Sequence, residues 1–560
     1  MQETMSTNDL LQNLLSGRGI ILKEDIDKFL KPDYVRDMHN PFLMRDMEKA
    51  CVRLFEAIEA EEKIIIYADY DCDGIPGAVI MQDLFKKIGY KNYEVYIPQR
   101  NSEGYGLNLN AIKQFAQVSA KLIITIDLGI TAVAEVAQAK VDDMDVIITD
   151  HHIPAETLPR ACAILNPKVD DYPEKMLCGA GVVFKFVQGF IKKYGEYFKI
   201  KEGAEKWMLD MAGLATLSDM VPLTGENRAI AYYGLKVLRK SPRPGLQKLL
   251  SKMNIDQRYL TEDDITFMVT PRLNAASRMD NPLRAFELLS TDDEVQGGEL
   301  AKYLTKINDE RKSIVAGIMR EVHKKFEKRD EIEAKDVIVT GNGEWRVGIL
   351  GLVAGKISDT YHKPVFVWGK DENECIKGSC RSDGSVSVVE LMAATKDYFI
   401  EYGGHELAGG FTVHNDKIHF LEDALINSYK NVDRLTNTIS NKKEYILSHL
   451  GLVNIKNWRE IDKLSPFGFG NPKPLFLFEG LNIENIKKFG KNGSGEHMEI
   501  IFSDSNDNKK NKAVAISFFS NVDSFKVQIE KDKKVNLLAT FDLSRFRGRE
   551  ELRLRVVDIS

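Results

Sequence analysis

The segment VIITDHHIP, residues 146–154, places four β-favouring residues directly before one aspartate and two histidines. Similar short apolar runs occur elsewhere between residues 61 and 166: IIIY (64–67), EVYI (94–97), LIITI (122–126) and AIL (163–165). Helix-like spacers, such as residues 78–88, lie between them. Strands that recur with helical spacers are typical of βαβ units and a mostly parallel sheet. The sequence therefore predicts an α/β fold for this region.

Acidic residues follow three of these runs. The acidic segments are ADYDCDG (68–74), DLG (127–129) and DHH (150–152). A further acid, Asp219, follows a segment at 207–217 that we interpret as amphipathic. Because ligands gather at the carboxyl ends of parallel strands, we expect the three acidic segments to face one crevice. Carboxylates so close would repel each other unless cations lay between them, so the pattern predicts a metal site.

The donor types indicate which metal suits this site. Aspartates with one or two histidines, and no thiolate pattern, favour Mn²⁺ or Mg²⁺ over structural zinc. The two oxygens of Asp127 can bridge a pair of ions about 3.5–4 Å apart, the spacing used in hydrolysis at phosphorus. These residues therefore favour a two-ion phosphoester hydrolase.

Composition limits the class of protein. A chain of 560 residues exceeds one core and should form roughly three or four domains. Its net charge of −6 gives no global basic excess, so an anionic partner needs local positive charge or bound cations. Six scattered cysteines indicate a reducing compartment. No leader-like or membrane-spanning run is evident, so we expect a cytoplasmic protein that does not associate with membranes.

Changes of pattern along the chain suggest five regions. Apolar residues spaced by three and four predict a long amphipathic helix from Glu294 to about residue 328, and short strand-like runs without helical spacers predict a β-barrel near the end. The expected regions are an N-terminal region (1–60), a catalytic α/β domain (61–290), a connecting helix (291–330), a smaller α/β domain (331–430) and a β-barrel domain (431–560).

These motifs together resemble the DHH phosphoesterase superfamily and, within it, the RecJ-type exonucleases. The matching segments, in family order, are DYDCDG (69–74), IPQR (97–100), EGYGL (103–107), TIDLGI (125–130), DHH (150–152), ATLSDMVPL (215–223), PRLNA (271–275), SRM (277–279), GILGLVA (348–354), GGH (403–405) and SPFGFGNP (465–472). A single DHH is a weak signal, whereas this ordered set is a specific one.

The resemblance implies 5′-to-3′ hydrolysis of single-stranded DNA by two ions, Mn²⁺ or Mg²⁺, in DNA repair and recombination. It also implies a DHH domain, a DHH-associated domain and a C-terminal domain like an oligonucleotide-binding (OB) barrel. The implied metal ligands are Asp71, Asp73, Asp127, His151 and Asp219, with Asp127 as the bridge. Asp69 would be an extra ligand or a supporting acid, and Asp150 would orient His151. His152 would contact the scissile phosphate.

The resemblance also implies nucleic-acid contacts. Arg100, Arg278 and Arg381 would bind phosphates, because a guanidinium can hold two phosphate oxygens at once. His405, in a glycine-rich turn, would help close the channel, while Tyr105 is either a core residue or a nucleotide-stacking one. Charge and rings in the barrel would come from Lys487, Lys488, Phe489, Arg545, Phe546 and Arg547. The two phenylalanines are either barrel core, which we favour, or base platforms.

The implied partner is the 5′ end of single-stranded DNA. A single-stranded-DNA-binding protein and a helicase are candidate protein partners, and we expect a monomer. Two other functions remain open: a DHH phosphodiesterase for short oligonucleotides or cyclic dinucleotides, and a non-catalytic DNA-binding accessory protein. Residues 431–560 disfavour the first, because such relatives are usually shorter, and the complete ligand set disfavours the second.

Three positions depart from the family pattern. In GEWR (343–346), Arg346 replaces the usual histidine and so lacks its titratable group. Cys72 replaces a small alanine, which we expect to be inert. Tyr67 stands where many DHH pyrophosphatases carry a histidine, so one metal contact is missing and the pyrophosphatase interpretation is disfavoured.

Overall fold

The computed structural model describes residues 7–100, 102–169, 171–327, 335–435, 445–490, 497–504, 511–518, 520, 524–545 and 550–560. The chain forms two compact units. The first unit comprises Met1–Asp37, Pro222–Thr224 and Ser440–Ser560, and the second comprises Met38–Val221 and Gly225–Ile439. None of the described helices combines the length and apolar character that crossing a lipid bilayer requires.

The described helices and strands are numbered here in chain order. The helices are α1 (Thr7–Ser16), α2 (Lys23–Leu30), α3 (Tyr34–Asp37), α4 (Met47–Glu59), α5 (Gly74–Ile88), α6 (Leu109–Gln117), α7 (Val133–Val141), α8 (Gly179–Tyr194), α9 (Leu209–Ser218), α10 (Gly225–Leu238), α11 (Pro244–Lys252), α12 (Glu262–Asp264), α13 (Thr270–Met279), α14 (Leu283–Ser290), α15 (Glu294–Glu327), α16 (Leu350–Tyr361), α17 (Val388–Ala394), α18 (Leu421–Tyr429) and α19 (Ile455–Asp462). The strands are β1 (Lys63–Ala68), β2 (Tyr93–Tyr96), β3 (Ala120–Ile126), β4 (Asp145–Thr149), β5 (Ala163–Leu165), β6 (Ile338–Gly341), β7 (Val365–Lys370), β8 (Ile376–Arg381), β9 (Phe399–His405), β10 (Ala408–Val413), β11 (Tyr445–Ser448), β12 (Leu475–Phe489), β13 (His497–Asp504), β14 (Lys512–Phe518), β15 (Lys534–Ser544) and β16 (Glu551–Ile559).

A five-stranded parallel sheet in the order β2-β1-β3-β4-β5 organises the second unit. Helices α6 and α7 cover one face, where Ile112 and Val136 pack with Ile65 and Ile123. Helices α5 and α8 pack against the sheet and each other. The predicted parallel α/β fold is confirmed.

The register of this sheet determines where the three acidic loops begin. The last residues of β1, β3 and β4 are paired in register, and the backbone ladder continues one residue further. Asp69 N–H donates to the Ile126 carbonyl at 3.1 Å, and Asp127 N–H donates to the Thr149 carbonyl at 2.9 Å. The three acidic loops therefore start side by side at the same edge.

Helix α9 differs from the amphipathic segment expected at 207–217. Every residue from 209 to 217 is buried. The helix packs against α5, α8 and α10, so it has no solvent face. A Cβ at Gly213 would lie 2.6 Å from the Cα of Gly234, which shows how closely α9 and α10 approach. The amphipathic interpretation is therefore wrong, because neighbouring helices cover the whole surface of α9.

A second sheet of the second unit has the order β6-β7-β8-β10-β9, parallel between β6 and β7 and antiparallel elsewhere. Helix α15, 34 residues long, packs against α11, α13 and α14, and against α16 beside the second sheet. The predicted long helix is confirmed. Its apolar residues Val315, Ile318 and Val322 enter the core beside Ile349 and Val353.

The first unit contains a six-stranded sheet in the order β11-β12-β13-β14-β16-β15, and β12 also pairs with β15. The short strands predicted near the end of the chain are confirmed as β13 to β16, but the 15-residue β12 was not predicted. Register shifts near Gly480 and Glu484 interrupt its pairing and hide the strand pattern in the sequence. Helix α1 adds Leu10, Leu14 and Leu15 to the same core.

A buried ion pair and its hydrogen bonds join four segments of the second unit. Glu226 and Lys185 are both fully buried and lie 2.9 Å apart. Glu226 also accepts hydrogen bonds from the Tyr172 hydroxyl at 2.7 Å and from His39 N–H at 3.0 Å. The Lys185 ammonium also donates to the His39 carbonyl. The network therefore depends on both charges being present.

We predict that Lys185→Met destabilises the second unit by about 3–5 kcal/mol, because it leaves the Glu226 carboxylate buried without a cation. Adding Glu226→Gln removes that charge and keeps one oxygen, which can accept from His39 N–H, while the new amide NH2 group can donate to the Tyr172 hydroxyl. The double variant should therefore unfold at a higher temperature than Lys185→Met alone in scanning calorimetry. An unchanged or lower midpoint in the double variant would contradict this.

Candidate active site

The backbone at the edge of the first sheet is shaped to bring side chains together. Asp127 adopts a left-handed conformation with φ 61°, uncommon for a non-glycine residue. Gly179, at the start of α8, lies against it, and a Cβ there would fall 2.6 Å from the Asp127 Cβ. Only glycine therefore fits at the start of α8, and it allows the helix to approach the acids.

His151 lies among three of the predicted ligands. Its Nε2 is 3.1 Å from Asp127 Oδ1, 3.7 Å from Asp73 Oδ2 and 3.9 Å from Asp219 Oδ2. Among the described residues, three groups have ligand atoms within 4.8 Å of one another: Asp127, His151 and His152; Asp73, His151 and Asp219; and Asp69, Asp71 and Asp127. The structure thus brings all six predicted ligands together, and Asp127 belongs to two of the groups.

Burial and mutual repulsion raise the pKa values of four of these acids. Burial, then nearby Asp71, raises the pKa of Asp73 to about 6. Burial, then Asp73 and Asp71, raises the pKa of Asp219 to about 9. The pKa values of Asp69 and Asp127 are raised well above the usual range by burial and by neighbouring carboxylates. The cluster therefore favours bound positive charge.

Partnerless oxygens show that divalent cations fit this cluster. Oδ1 of Asp69 and Oδ1 of Asp127 are buried and accept no hydrogen bond from the described residues. Such atoms are costly to bury unless something binds them. The donors are carboxylate oxygens and imidazole nitrogen, which suit Mn²⁺ or Mg²⁺.

The start of α8 fixes Asp73. The backbone N–H groups of Gly179 and Ala180 donate to its two carboxylate oxygens at 2.6 and 2.7 Å. The positive end of the helix dipole favours a carboxylate at this place. Asp73 N–H also donates to Asp71 Oδ1 at 2.8 Å, which links the two ligands.

Asp150 differs from its predicted role of orienting the His151 ring. Its carboxylate contacts the ring of His152 instead, with Oδ1 2.8 Å from Nδ1. It also accepts N–H bonds from Ile130, His151 and His152 at 2.7–3.0 Å. The expectation is wrong for the ring, because the loop turns so that only the backbone of His151 faces Asp150.

The Asp150–His152 contact shifts the pKa values of the two residues in opposite directions. Burial opposes ionisation of both, but the hydrogen bond and charge of His152 lower the pKa of Asp150. The same contact raises the pKa of His152. In contrast, burial, then the charge of His152, lowers the pKa of His151 to about 3. His151 is therefore neutral and suited to a ligand role, whereas His152 carries a proton more readily.

Two residues outside the predicted set support residues 150–152, which we name the DHH loop. Asn166 Nδ2 donates to the His152 carbonyl at 3.0 Å, and the Lys168 ammonium donates to the His151 carbonyl. Both follow β5, the strand next to β4 in the sheet. The sequence signal was available, because NPK (166–168) directly follows the predicted strand at 163–165.

Tyr105 is not a core residue, since it is 54% exposed. Its hydroxyl donates to the Asp127 carbonyl at 3.2 Å and lies 3.2 Å from His152 Nδ1. The two rings meet edge to face with centroids 5.7 Å apart. Tyr105 therefore lies at the site, beside the histidine expected to contact phosphate.

The three predicted phosphate-binding arginines, Arg100, Arg278 and Arg381, lie near one another and are named here the phosphate clamp. Burial, then the charges of Arg100 and Arg311 and, to a smaller extent, Arg381, lowers the pKa of Arg278 to about 9. Arg100 also lies over the Tyr70 ring, 5.0 Å from its centroid. Like charges held together in this way favour an anion between them.

His405 is the last residue of β9, not part of a turn as expected, because the glycine-rich segment forms the β9–β10 pair. Its side chain is exposed. Burial, then the nearby charges of His152 and Lys168, lowers its pKa.

The structure also shows the surroundings of Arg346, Tyr67 and Cys72, the three residues that depart from the family pattern. Arg346 lines an open cavity of about 670 Å³ together with lysines at 252, 302 and 306. Tyr67 is fully buried, and its hydroxyl donates to the Gly106 carbonyl at 3.0 Å. Cys72 is buried with Sγ 3.3 Å from the Ser218 hydroxyl.

The sheet of the first unit carries a row of rings. Phe489, His497 and Phe518 are cross-strand neighbours on β12, β13 and β14, with ring centroids 5.3 and 5.5 Å apart. Arg553 and Arg555 lie over the Phe518 ring, 5.8 and 5.5 Å from its centroid. We name these five residues the aromatic row.

The predicted contact residues of the barrel have different environments. Phe489 is partly exposed, in contrast to the favoured core placement, because it ends β12 beside His497. Lys487 and Lys488 are exposed. Arg545 lies over the Trp458 ring at 5.8 Å. Phe546 and Arg547 lie outside the described residues.

Comparison with known families agrees with this architecture. The sequence profiles "DHH family, N-terminal domain", "DHHA1 domain" and "RecJ OB domain" match residues 63–216, 334–431 and 448–558. The single-stranded-DNA-specific exonuclease RecJ of Bacillus subtilis is 31% identical, covering 100% of this chain and 69% of the relative. RecJ of Haemophilus influenzae is 28% identical, covering 99% and 96%.

Two solved structures share the fold. The crystal structure of Thermus thermophilus RecJ with Mn²⁺ superposes with a TM-score of 0.79 at 24% identity, covering 99% of this chain and 76% of that one. An exonuclease RecJ bound to manganese gives a TM-score of 0.63 at 26% identity, covering 72% and 99%.

The parallel sheet with its acid- and histidine-lined edge, and the smaller α/β region after α15, define a DHH-type protein. The sequence relationships are more specific than this class. The chain belongs to the RecJ family of single-stranded-DNA-specific exonucleases.

We predict that Mn²⁺ binding releases protons at neutral pH, because carboxylates bind metal in their deprotonated form while the folded protein raises the pKa values of Asp73 and Asp219. Since the pKa of Asp219 is raised to about 9, the apparent metal affinity should increase with pH up to that range. Calorimetric titration in buffers of different ionisation enthalpy measures the release. Asp219→Asn should reduce it by about one proton, and equal heats in all buffers would contradict the prediction.

Proposed function

We propose that this protein is a metal-dependent exonuclease that degrades single-stranded DNA from the 5′ end, in DNA repair and recombination. The observation that carries this conclusion is the cluster around Asp127, where acids and histidines converge with raised pKa values and partnerless oxygens. Membership of the RecJ family names the substrate class.

Two divalent ions, Mn²⁺ or Mg²⁺, would be held by Asp69, Asp71, Asp73, Asp127, His151 and Asp219. Such ions activate water for attack at phosphorus and offset the charge of phosphate oxygens. Two relatives of known structure were crystallised with manganese and with magnesium, which supports this choice. Asp127 is the bridging residue in this proposal because it belongs to two of the three ligand groups.

The remaining residues of the site bind and orient the strand. His152, whose pKa is raised by the hydrogen bond and charge of Asp150, donates a hydrogen bond to an oxygen of the scissile phosphate. The Tyr105 hydroxyl lies 3.2 Å from the same ring nitrogen, Nδ1, that contacts Asp150, and helps to fix the ring. The phosphate clamp binds the terminal phosphate groups, because guanidinium groups match phosphate oxygens in pairs. His405 approaches from the second sheet and helps to enclose the strand.

We predict that Asp127→Ala reduces cleavage by more than about 100-fold, a loss larger than that expected for a residue that only supports a ligand. Strand binding should persist, because the phosphate clamp remains. The measurement uses end-labelled single and double strands with Mn²⁺, Mg²⁺ or EDTA, with products identified by polarity. Asp142→Ala, a partly exposed acid that follows α7, is the matched control. Normal turnover by Asp127→Ala would exclude Asp127 from the centre.

A phosphodiesterase for short substrates is the main alternative. The first unit favours a long single strand as the substrate over a dinucleotide. An OB-like sheet with several exposed charges and rings offers more contacts than two nucleotides can occupy. Comparing hydrolysis of a 5′-phosphorylated strand with that of a dinucleotide and a cyclic dinucleotide distinguishes the two functions.

The aromatic row is the proposed binding face of the first unit. Rings on adjacent strands offer stacking surfaces for successive bases, while Arg553 and Arg555 supply positive charge for phosphates. Lys487 and Lys488 extend that charge along β12. The domain from 431 to 560 therefore acts as a single-strand-binding module in this proposal.

We predict that Phe518→Ala weakens single-strand binding by about 1–3 kcal/mol, because one stacking surface is lost. Fluorescence anisotropy with a labelled strand in EDTA measures the affinity without cleavage. Tyr445→Ala removes an exposed ring from β11 and serves as the control. Equal affinities for the two variants and the unchanged protein would exclude the aromatic row from binding.

Several finer properties complete the proposal. The protein acts as a monomer in the cytoplasm. Its candidate partners there are a helicase, which exposes single strands, and a single-stranded-DNA-binding protein, which covers them.

A further inference from the structure

A second group of cations lies beside the phosphate clamp, where α13 packs against α15. The two cations are Arg272 on α13 and Arg311 on α15, and the uncharged Asn308 on α15 lies with them. We name these three residues the inner arginine cluster. The Arg311 guanidinium donates to Asn308 Oδ1 at 2.9 Å. Arg272 donates to the Met268 carbonyl at 2.7 Å. These bonds leave other donors of the cluster unused.

The unused donors are buried. Nε of Arg272, Nδ2 of Asn308 and Nε of Arg311 have no hydrogen-bond partner among the described residues. Arg272 is 7% exposed and Asn308 is fully buried. All three atoms are donors, so the missing partner is an acceptor. Buried charged donors without an acceptor are costly, and this cost indicates that something binds here.

The cluster also lacks a balancing negative charge. Neither arginine forms an ion pair within the described part of the chain, and Asp309 on α15 offsets Arg272 only in part. Burial lowers the pKa of Arg311, and the nearby charge of Arg272 lowers it further. Arg311 in turn acts on Arg278 of the phosphate clamp, so the two groups are continuous.

We propose that the inner arginine cluster is a second oxyanion site, which binds one internucleotide phosphate of the single strand beside the phosphate clamp. This inference rests on the proposed function. A phosphodiester suits the cluster, because its two unshared oxygens accept several hydrogen bonds and its single negative charge balances part of the excess. Continuity with the phosphate clamp favours the strand itself over a separate ligand.

Arg311→Met tests the proposal through binding to full-length protein in EDTA, where no variant cleaves. We expect the affinity for a single strand to fall about tenfold, as for loss of a charged hydrogen bond. The slope of log affinity against log salt concentration should decrease by about 0.7, the value for one lost phosphate contact. Lys306→Met removes one exposed charge from the same helix and is the control.

Strands with one neutral methylphosphonate linkage identify the phosphate. The unchanged protein and Lys306→Met should lose affinity when the contacted linkage is neutral. Arg311→Met should be insensitive at that one linkage and remain sensitive at the linkages held by the phosphate clamp. The same sensitivity at every linkage in Arg311→Met and in the unchanged protein would overturn the proposal.

Asn308→Asp keeps the test decisive if Arg311→Met does not fold. The new carboxylate places an anion within the cluster, so the melting temperature should rise or stay constant while strand affinity falls at least about tenfold. A folded Asn308→Asp protein with unchanged affinity and salt slope would mean that buried water alone fills the cluster. Failure of the unchanged protein to bind or cleave single strands would instead overturn the proposed function.

Discussion

The site depends on buried carboxylates that the parallel sheet forces together. Because β1, β3 and β4 end in register and the ladder continues by one residue, Asp69 and Asp127 start their loops side by side. Mutual repulsion and burial raise their pKa values, and the surrounding structure offsets only part of that cost. The start of α8 donates two N–H groups, and Lys168 adds one positive charge. Divalent ions supply the rest.

The sequence predicted those parts of the fold that local pattern determines. Apolar runs of four or five residues that end in acidic loops placed the strands and the ligands, and the spacing along α15 placed the long helix. The sequence-based predictions failed where contacts with other parts of the fold determine the structure. Helix α9 is covered on all sides, β12 is interrupted by register shifts, and the turn after β4 directs Asp150 to the ring of His152. The position of Asn166 and Lys168 directly after a predicted strand was a signal, but their contacts with the backbone carbonyls of the histidines depend on the folded loop.

Opposite charges are segregated within the second unit, which explains how an acidic chain suits an anionic substrate. The net charge of −6 says little about the surface that meets the strand. Arginines from a loop after β2, from α13, from α15 and from β8 gather beside the acids, although these segments are far apart in sequence. Metal ions would reverse the sign of the acidic group as well. The local field is therefore positive where phosphates must lie.

The core of the first unit joins Leu10 and Leu14 to residues of β12 through β16, which come near the other end of the chain. During synthesis, the apolar face of α1 leaves the ribosome long before the strands that cover it exist. That face must remain uncovered, or be shielded by a chaperone, while the whole second unit folds. The core of the first unit is therefore completed only after the second unit has been synthesised.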